Sequence, residues 1–157
     1  MTHMMVRRSL LAQPVLRIRA VWDSTDPESG AGVDLEEIRR VREAQQLEQA
    51  GSPYICVGEP DDAGLVRGEG VVPVDRLGTA MGRVEAIVQP ATEAVSVVYR
   101  DNIHLTAGQA VVQHLIQQTD EAGLIRVGLP RWIYHTNPTW NLLPDDHLIE
   151  VLWPVEG

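Results

Sequence analysis

Apolar and polar residues alternate from Val15 to Asp23. Val15, Arg17, Arg19 and Val21 take turns with Leu16, Ile18, Ala20 and Trp22. One face is apolar and the other mostly polar, which is the period of a strand. STDPESGAG follows, and its Pro, Ser, Asp and Gly content predicts a loop. After Asp34 the spacing lengthens: Leu35, Ile38, Val41 and Leu47 recur at multiples of three. That pattern predicts a helix with Asp34 as N-cap, acidic Glu36 and Glu37 in its first turn, and Gly51 as its stop. Two short strands are expected next, Tyr54 to Val57 and Leu65 to Val74. Gly68 and Gly70 mark a bulge or a close backbone approach in the second.

The later half has the same plan. Val84 to Val88 and Val95 to Tyr99 read as strands, with a kink or loop at Pro90 and Ala91. Thr106 to Gly123 reads as a helix opened by a Thr106/Gln109 capping box and closed by Gly123. Its buried stripe is Val111, Val112, Leu115 and Ala122. Arg131 to His135 and His147 to Trp153 are expected strands, separated by the polar TNPTWNLLPDD. Residues 1–13 read as a loose tail.

The two halves also match in detail. Their helices end in Ala50-Gly51 and Ala122-Gly123, and Pro53 and Pro130 open the next strands. EGVVPVD, from Glu69, and EVLWPVE, from Glu150, share the Glu, the Pro-Val and an acidic end at an offset of 81 residues. The expected fold class is α+β. It comprises two pseudo-symmetric β-α-β-β repeats, about 14–75 and 80–157, in a single domain spanning 14–157. An antiparallel sheet carries the helices on one face and leaves a ligand cleft on the other.

Composition narrows the function. The net charge of −9 disfavours direct nucleic-acid binding, which needs Lys and Arg against phosphates, and favours cationic partners. The single cysteine, Cys56, excludes an internal disulfide and reads as a small buried hydrophobe. No apolar run approaches the roughly 20 residues of a membrane span, and the N-terminus lacks a signal-peptide core. The expected location is cytoplasmic. No helix-turn-helix segment is expected before the first strand. HExxH, CxxC, GxSxG, Walker and GxGxxG patterns are absent from the sequence, so no metal site and no cofactor are expected.

Glu150 is the first candidate site residue. Its strand is otherwise apolar on both faces (Leu148, Ile149, Val151, Leu152 and Trp153). A carboxylate there loses hydration and needs a partner or a cationic ligand. Backbone donors or tyrosine hydroxyls would satisfy it equally well. Glu69 is its repeat mate, and a solvated Glu between two glycines is the simpler reading of it. Phe is absent, but there are four Trp and three Tyr. Trp132 and Tyr134 lie two apart on one strand and share a face. Tyr99 is a further candidate wall, Trp140 a candidate rim, and Trp22 and Trp153 read as core. Aromatic faces suit cations and flat apolar rings.

From Val15 to Gly157 the sequence resembles the GyrI-like small-molecule-binding domain, the effector-binding part of multidrug-sensing transcription regulators. The resemblance is strongest in AGLIRVGLPRWIYHTNPTW and IEVLWPVEG. There Glu150 precedes Pro154-Val155 by three intervening residues, as in the family's ending. The long STDPESGAG stretch departs from the shorter turn expected. The resemblance implies a hydrophobic cleft with aromatic walls and a carboxylate at its base. On this reading the chain binds or sequesters a lipophilic or cationic small molecule through Glu150, Trp132, Tyr134, Tyr99, Glu69 and Trp140. The alternative is a hydrolase of reactive toxins in which Glu150 activates water. A protein partner stays open, with nothing in the residues to identify it.

Overall fold

Nine strands, two α-helices and one 3-10 turn make up the computed structural model, which describes residues 4–102, 105–137 and 146–157. The side chains of residues 106 and 107 are outside the description as well. The protein is α+β, and all the strand pairs below are antiparallel. Among the described residues, no helix is long and apolar enough to cross a membrane.

The chain divides into two compact units. The first is Ala12–Pro90. It contains β2 (Gln13–Asp23), α1 (Pro27–Ala44), β3 (Tyr54–Val57), β4 (Leu65–Pro73) and β5 (Glu85–Gln89). Its strands lie in the order β5-β2-β4-β3. The second joins Met1–Leu11 to Ala91–Gly157. It contains β1 (Val6–Leu10), β6 (Thr92–Asp101), α2 (Gln109–Glu121), β7 (Ile125–Arg126), β8 (Arg131–Tyr134) and β9 (His147–Glu156). Here the order is β1-β6-β9-β8, with β7 against the far end of β9. In the first unit a strand leads through a helix to two further strands, in the second to three, and in each the last of these pairs with the first strand. An outer strand flanks each, β5 beside β2 and β1 beside β6.

Alternation along β2 sets the core of the first unit. Leu16 and Ile18 face α1 and pack with Ile38, Val41, Leu47, Val72, Val74 and Val84. Helix α1 starts at Pro27, seven residues before the expected N-cap. Proline at the first helical position loses no hydrogen bond that the helix would have made. Asp34 is not a cap. It is buried inside the helix, where it accepts from Trp22 Nε1 at 2.8 Å and from Arg83 Nη2 at 2.7 Å. Gly30 of the expected loop, with Gly68 of β4, makes room for an indole instead. A Cβ on Gly30 would sit 2.4 Å from Trp22 Cδ1, and one on Gly68 2.1 Å from Trp22 Cε3.

Both helices end in the same motif. In α2, Gly123 at φ +71 donates to Asp120 O, and Leu124 N donates to Thr119 O at 3.0 Å. In α1 the left-handed position is Gln46 at φ 55, and Leu47 N donates to Arg42 O at 3.0 Å. This is the Schellman arrangement, for which glycine is the easy residue. Gln46, not Gly51, ends α1. At its other end α2 follows a 3-10 turn, Leu105–Gly108, and its N-cap is Gly108 with no side-chain cap bond. The expected capping box rests on the Thr106 side chain, which lies outside the description.

The segment read as a loose tail contains β1. Val6–Leu10 pairs with β6 from Val6 opposite Ser96 to Leu10 opposite Thr92.

Candidate functional site

Cross-strand register decides which side chains meet around Glu150. Directly paired residues of an antiparallel ladder point to the same side of the sheet. Glu150 pairs with Val98 on β6 and with Ile133 on β8. By the period of two, Ser96, Leu152 and His135 share that side. Arg8 reaches it from β1, where it pairs with Ala94. All of these residues belong to the second unit.

Glu150 is 3% exposed. Its Oε2 accepts from Arg8 Nη1 at 2.5 Å, and its Oε1 lies 2.8 Å from His135 Nε2. The buried Ser96 hydroxyl also hydrogen-bonds the carboxylate. Burial pushes the pKa of this group up, but the bonds from His135, Ser96 and Arg8, with the Arg8 charge, outweigh it and hold it below the ordinary value. Glu150 is therefore an ionised carboxylate within a strand whose neighbours are aliphatic. Val98 is half-exposed at 50%, and Ile133 is partly exposed.

Trp132 and Tyr134 do share a face, as their spacing requires. That face is the opposite one. They flank Ile133 in β8, so they point away from the side that carries Glu150. Tyr99 joins them, because it pairs with Ile149, as Tyr134 does. All three are buried. A Cβ on Gly108 would lie 2.3 Å from Trp132 Cζ3 and 2.4 Å from Tyr99 Oη, so the turn before α2 sits directly on these rings. Burial, with Asp101 beside it, raises the pKa of the Tyr99 hydroxyl. The structure thus separates Glu150 from the three aromatics by the thickness of one sheet. A sequence shows the period of two but not the pairing of β8 with β9, and the pairing fixes the side.

Glu69 lies in the first unit, on the side of its sheet away from α1. It pairs with Arg19 and Cys56 and meets Arg17 Nη1 at 3.5 Å. Trp140 is outside the described residues. Trp22 is core, as read. Trp153 is partly buried, with Arg126 5.4 Å above its ring and its Nε1 donating to Gly128 O. Three functional-site residues escape a reading of the sequence, Arg8, Ser96 and His135. Ser96 carried a signal, a lone hydroxyl in the apolar run AVSVV. Arg8 carried none. Among the described residues, no group of three or more His, Cys, Asp or Glu could hold a metal ion.

Neither a family model nor a curated protein matches the sequence. Solved structures do match the fold. The EcmrR C-terminal domain superposes at TM-score 0.83 with 16% identity, covering 99% of each chain. An EcmrR–DNA complex gives TM-score 0.84 with 16% identity, covering 98% of this chain and 57% of that one, so the present chain spans little more than half of its length. SAV2435 bound to tetraphenylphosphonium gives TM-score 0.66 with 11% identity, covering 100% of this chain and 95% of that one. The chain has the α+β fold of the EcmrR C-terminal domain and of SAV2435.

Proposed function

We propose that this protein binds a lipophilic, positively charged small molecule, with Glu150 as the group that holds the charge. The observation that carries the reading is an ionised carboxylate buried in an apolar strand, beside a half-exposed aliphatic neighbour in Val98. Such a group gains most from a cation brought out of water. Val98 and Ile133 supply apolar contact on either side of it. The tetraphenylphosphonium bound to SAV2435, a protein of the same fold, supports a ligand of this class. The depressed pKa also makes Glu150 a weak base, since a general base works best near the operating pH. That favours holding a cation over activating a water.

Equilibrium dialysis of the protein against a panel of lipophilic monocations and their neutral analogues tests the reading. The wild type is expected to retain at least one cation. Glu150→Gln should weaken it by about tenfold, the worth of one charge-assisted hydrogen bond, and leave the neutral analogue unchanged. A panel in which no member is retained by the wild type overturns it.

A further inference from the structure

The Glu150 carboxylate already has a cation of its own, and the cation comes from an exposed outer strand of its unit. Arg8 sits on β1, which is exposed at nearly every position and pairs on one side, with β6. The Arg8 side chain is 43% exposed, whereas that of Glu150 is 4% exposed. Glu150 is on β9, with strands on both sides of it. The two carboxylate oxygens are divided: Oε2 takes the Arg8 guanidinium and Oε1 takes the His135 ring. His135 is on β8, a different strand from Arg8. Withdrawing Arg8 therefore removes the charged donor on Oε2 and leaves His135 on Oε1.

We propose that Arg8 is a resident cation, which a ligand must displace from Glu150, and that the ligand is consequently a cation able to donate a hydrogen bond. This rests on the binding function proposed above and names its ligand class and its gate. The chemistry follows from what leaves. A guanidinium gives Oε2 both charge and an N–H. An amidinium or a protonated amine restores both. A quaternary phosphonium restores the charge alone and does not replace the lost N–H donor, which is costly among apolar neighbours. An aromatic amidinium also has a flat ring to lay against Val98 and Ile133. Arg7 provides an internal control. It pairs with Val95, so its side chain points to the other face of the sheet.

Isothermal titration of the full chain with 2-naphthamidine and with tetraphenylphosphonium tests the proposal. In the wild type, naphthamidine should bind about tenfold tighter than the phosphonium. Arg8→Met should tighten naphthamidine by about tenfold or more, because nothing then competes for Oε2. Arg7→Met should leave it unchanged. Arg8→Lys keeps a charge on the strand and should stay near the wild type, so the Met–Lys difference isolates the competing cation even if β1 loosens in the methionine variant. Binding that is unchanged or weaker in Arg8→Met, while the wild type binds, overturns the resident cation and leaves the binding function standing. Absence of binding in wild type and variants alike, with circular dichroism intact, overturns the binding function itself.

Discussion

Glu69 and Glu150 each lie on a strand that pairs with the strand preceding its unit's helix, yet their surroundings differ. Each is on the side its helix leaves uncovered. The Glu69 side chain is 25% exposed and meets Arg17 from the neighbouring strand at 3.5 Å, with Glu85 also 3.5 Å from that arginine. Glu150 is buried and has three donors, one of them from the outer strand β1. Shared topology thus fixes where an acid sits but not how it is solvated. The solvation is set by residues outside the matching motif, and it separates a surface ion pair from a buried charged site.

The largest expected effects test what the units have in common, a glycine pressed against an indole. Gly68→Ala would put a methyl 2.1 Å from the Trp22 ring, and Gly108→Ala one 2.3 Å from the Trp132 ring. Each should cost roughly 3 kcal/mol, the upper end for overpacking, read from urea unfolding midpoints. A small loss in one and a large loss in the other would show that the two indoles are not held alike.

Removing the two acids should separate the units. Glu150→Ala leaves the buried Ser96 hydroxyl and the Arg8 and His135 partners unmatched and should cost about 2 kcal/mol. Glu69→Ala removes a long, partly solvated pair and should cost less than about 0.5 kcal/mol. Acid titration sharpens the contrast. Because the folded-state pKa of Glu150 is depressed, its stabilisation is complete above its ordinary value of 4.5 and is lost as pH falls through the depressed one. Glu150→Gln should flatten the stability–pH curve in that acid range, measured as the thermal midpoint between about pH 5 and pH 2. Equal costs for the two acids would mean that burial of Glu150 contributes nothing.

The smallest effects concern the helix ends. Gln46→Gly relieves a left-handed non-glycine residue and should stabilise by about 0.5 kcal/mol, whereas Gly123→Ala should destabilise by about 1 kcal/mol. Thermal melts of the pair would show opposite signs. Loss of stability in both would mean that the Gln46 side chain makes contacts worth more than its backbone strain.

Much of this was legible from periodicity. β2, β3 and β4 follow the alternation and the turn residues, and the burial of Glu150 follows from its apolar strand. Three things were not legible, each for a physical reason. Helix α1 begins inside STDPESGAG because Gly30 makes space for Trp22, a long-range demand that resembles loop chemistry locally. Strand β1 has no buried face to betray it, since VRRSL is held by the backbone of β6 and not by burial. The side taken by Trp132 and Tyr134 depends on which residue of β9 stands opposite Ile133, and a single chain of letters does not contain that register.

The Arg8–Glu150 pair also has a consequence for biosynthesis. The two residues are 142 positions apart in sequence. Contacts within Ala12–Pro90 can form once residue 90 has cleared the ribosome. Arg8 is made first of all these groups and matched last, when β9 finally emerges. Until β9 has been made, then, the nascent protein carries Arg8 without its carboxylate, and the charged site closes only when that strand emerges.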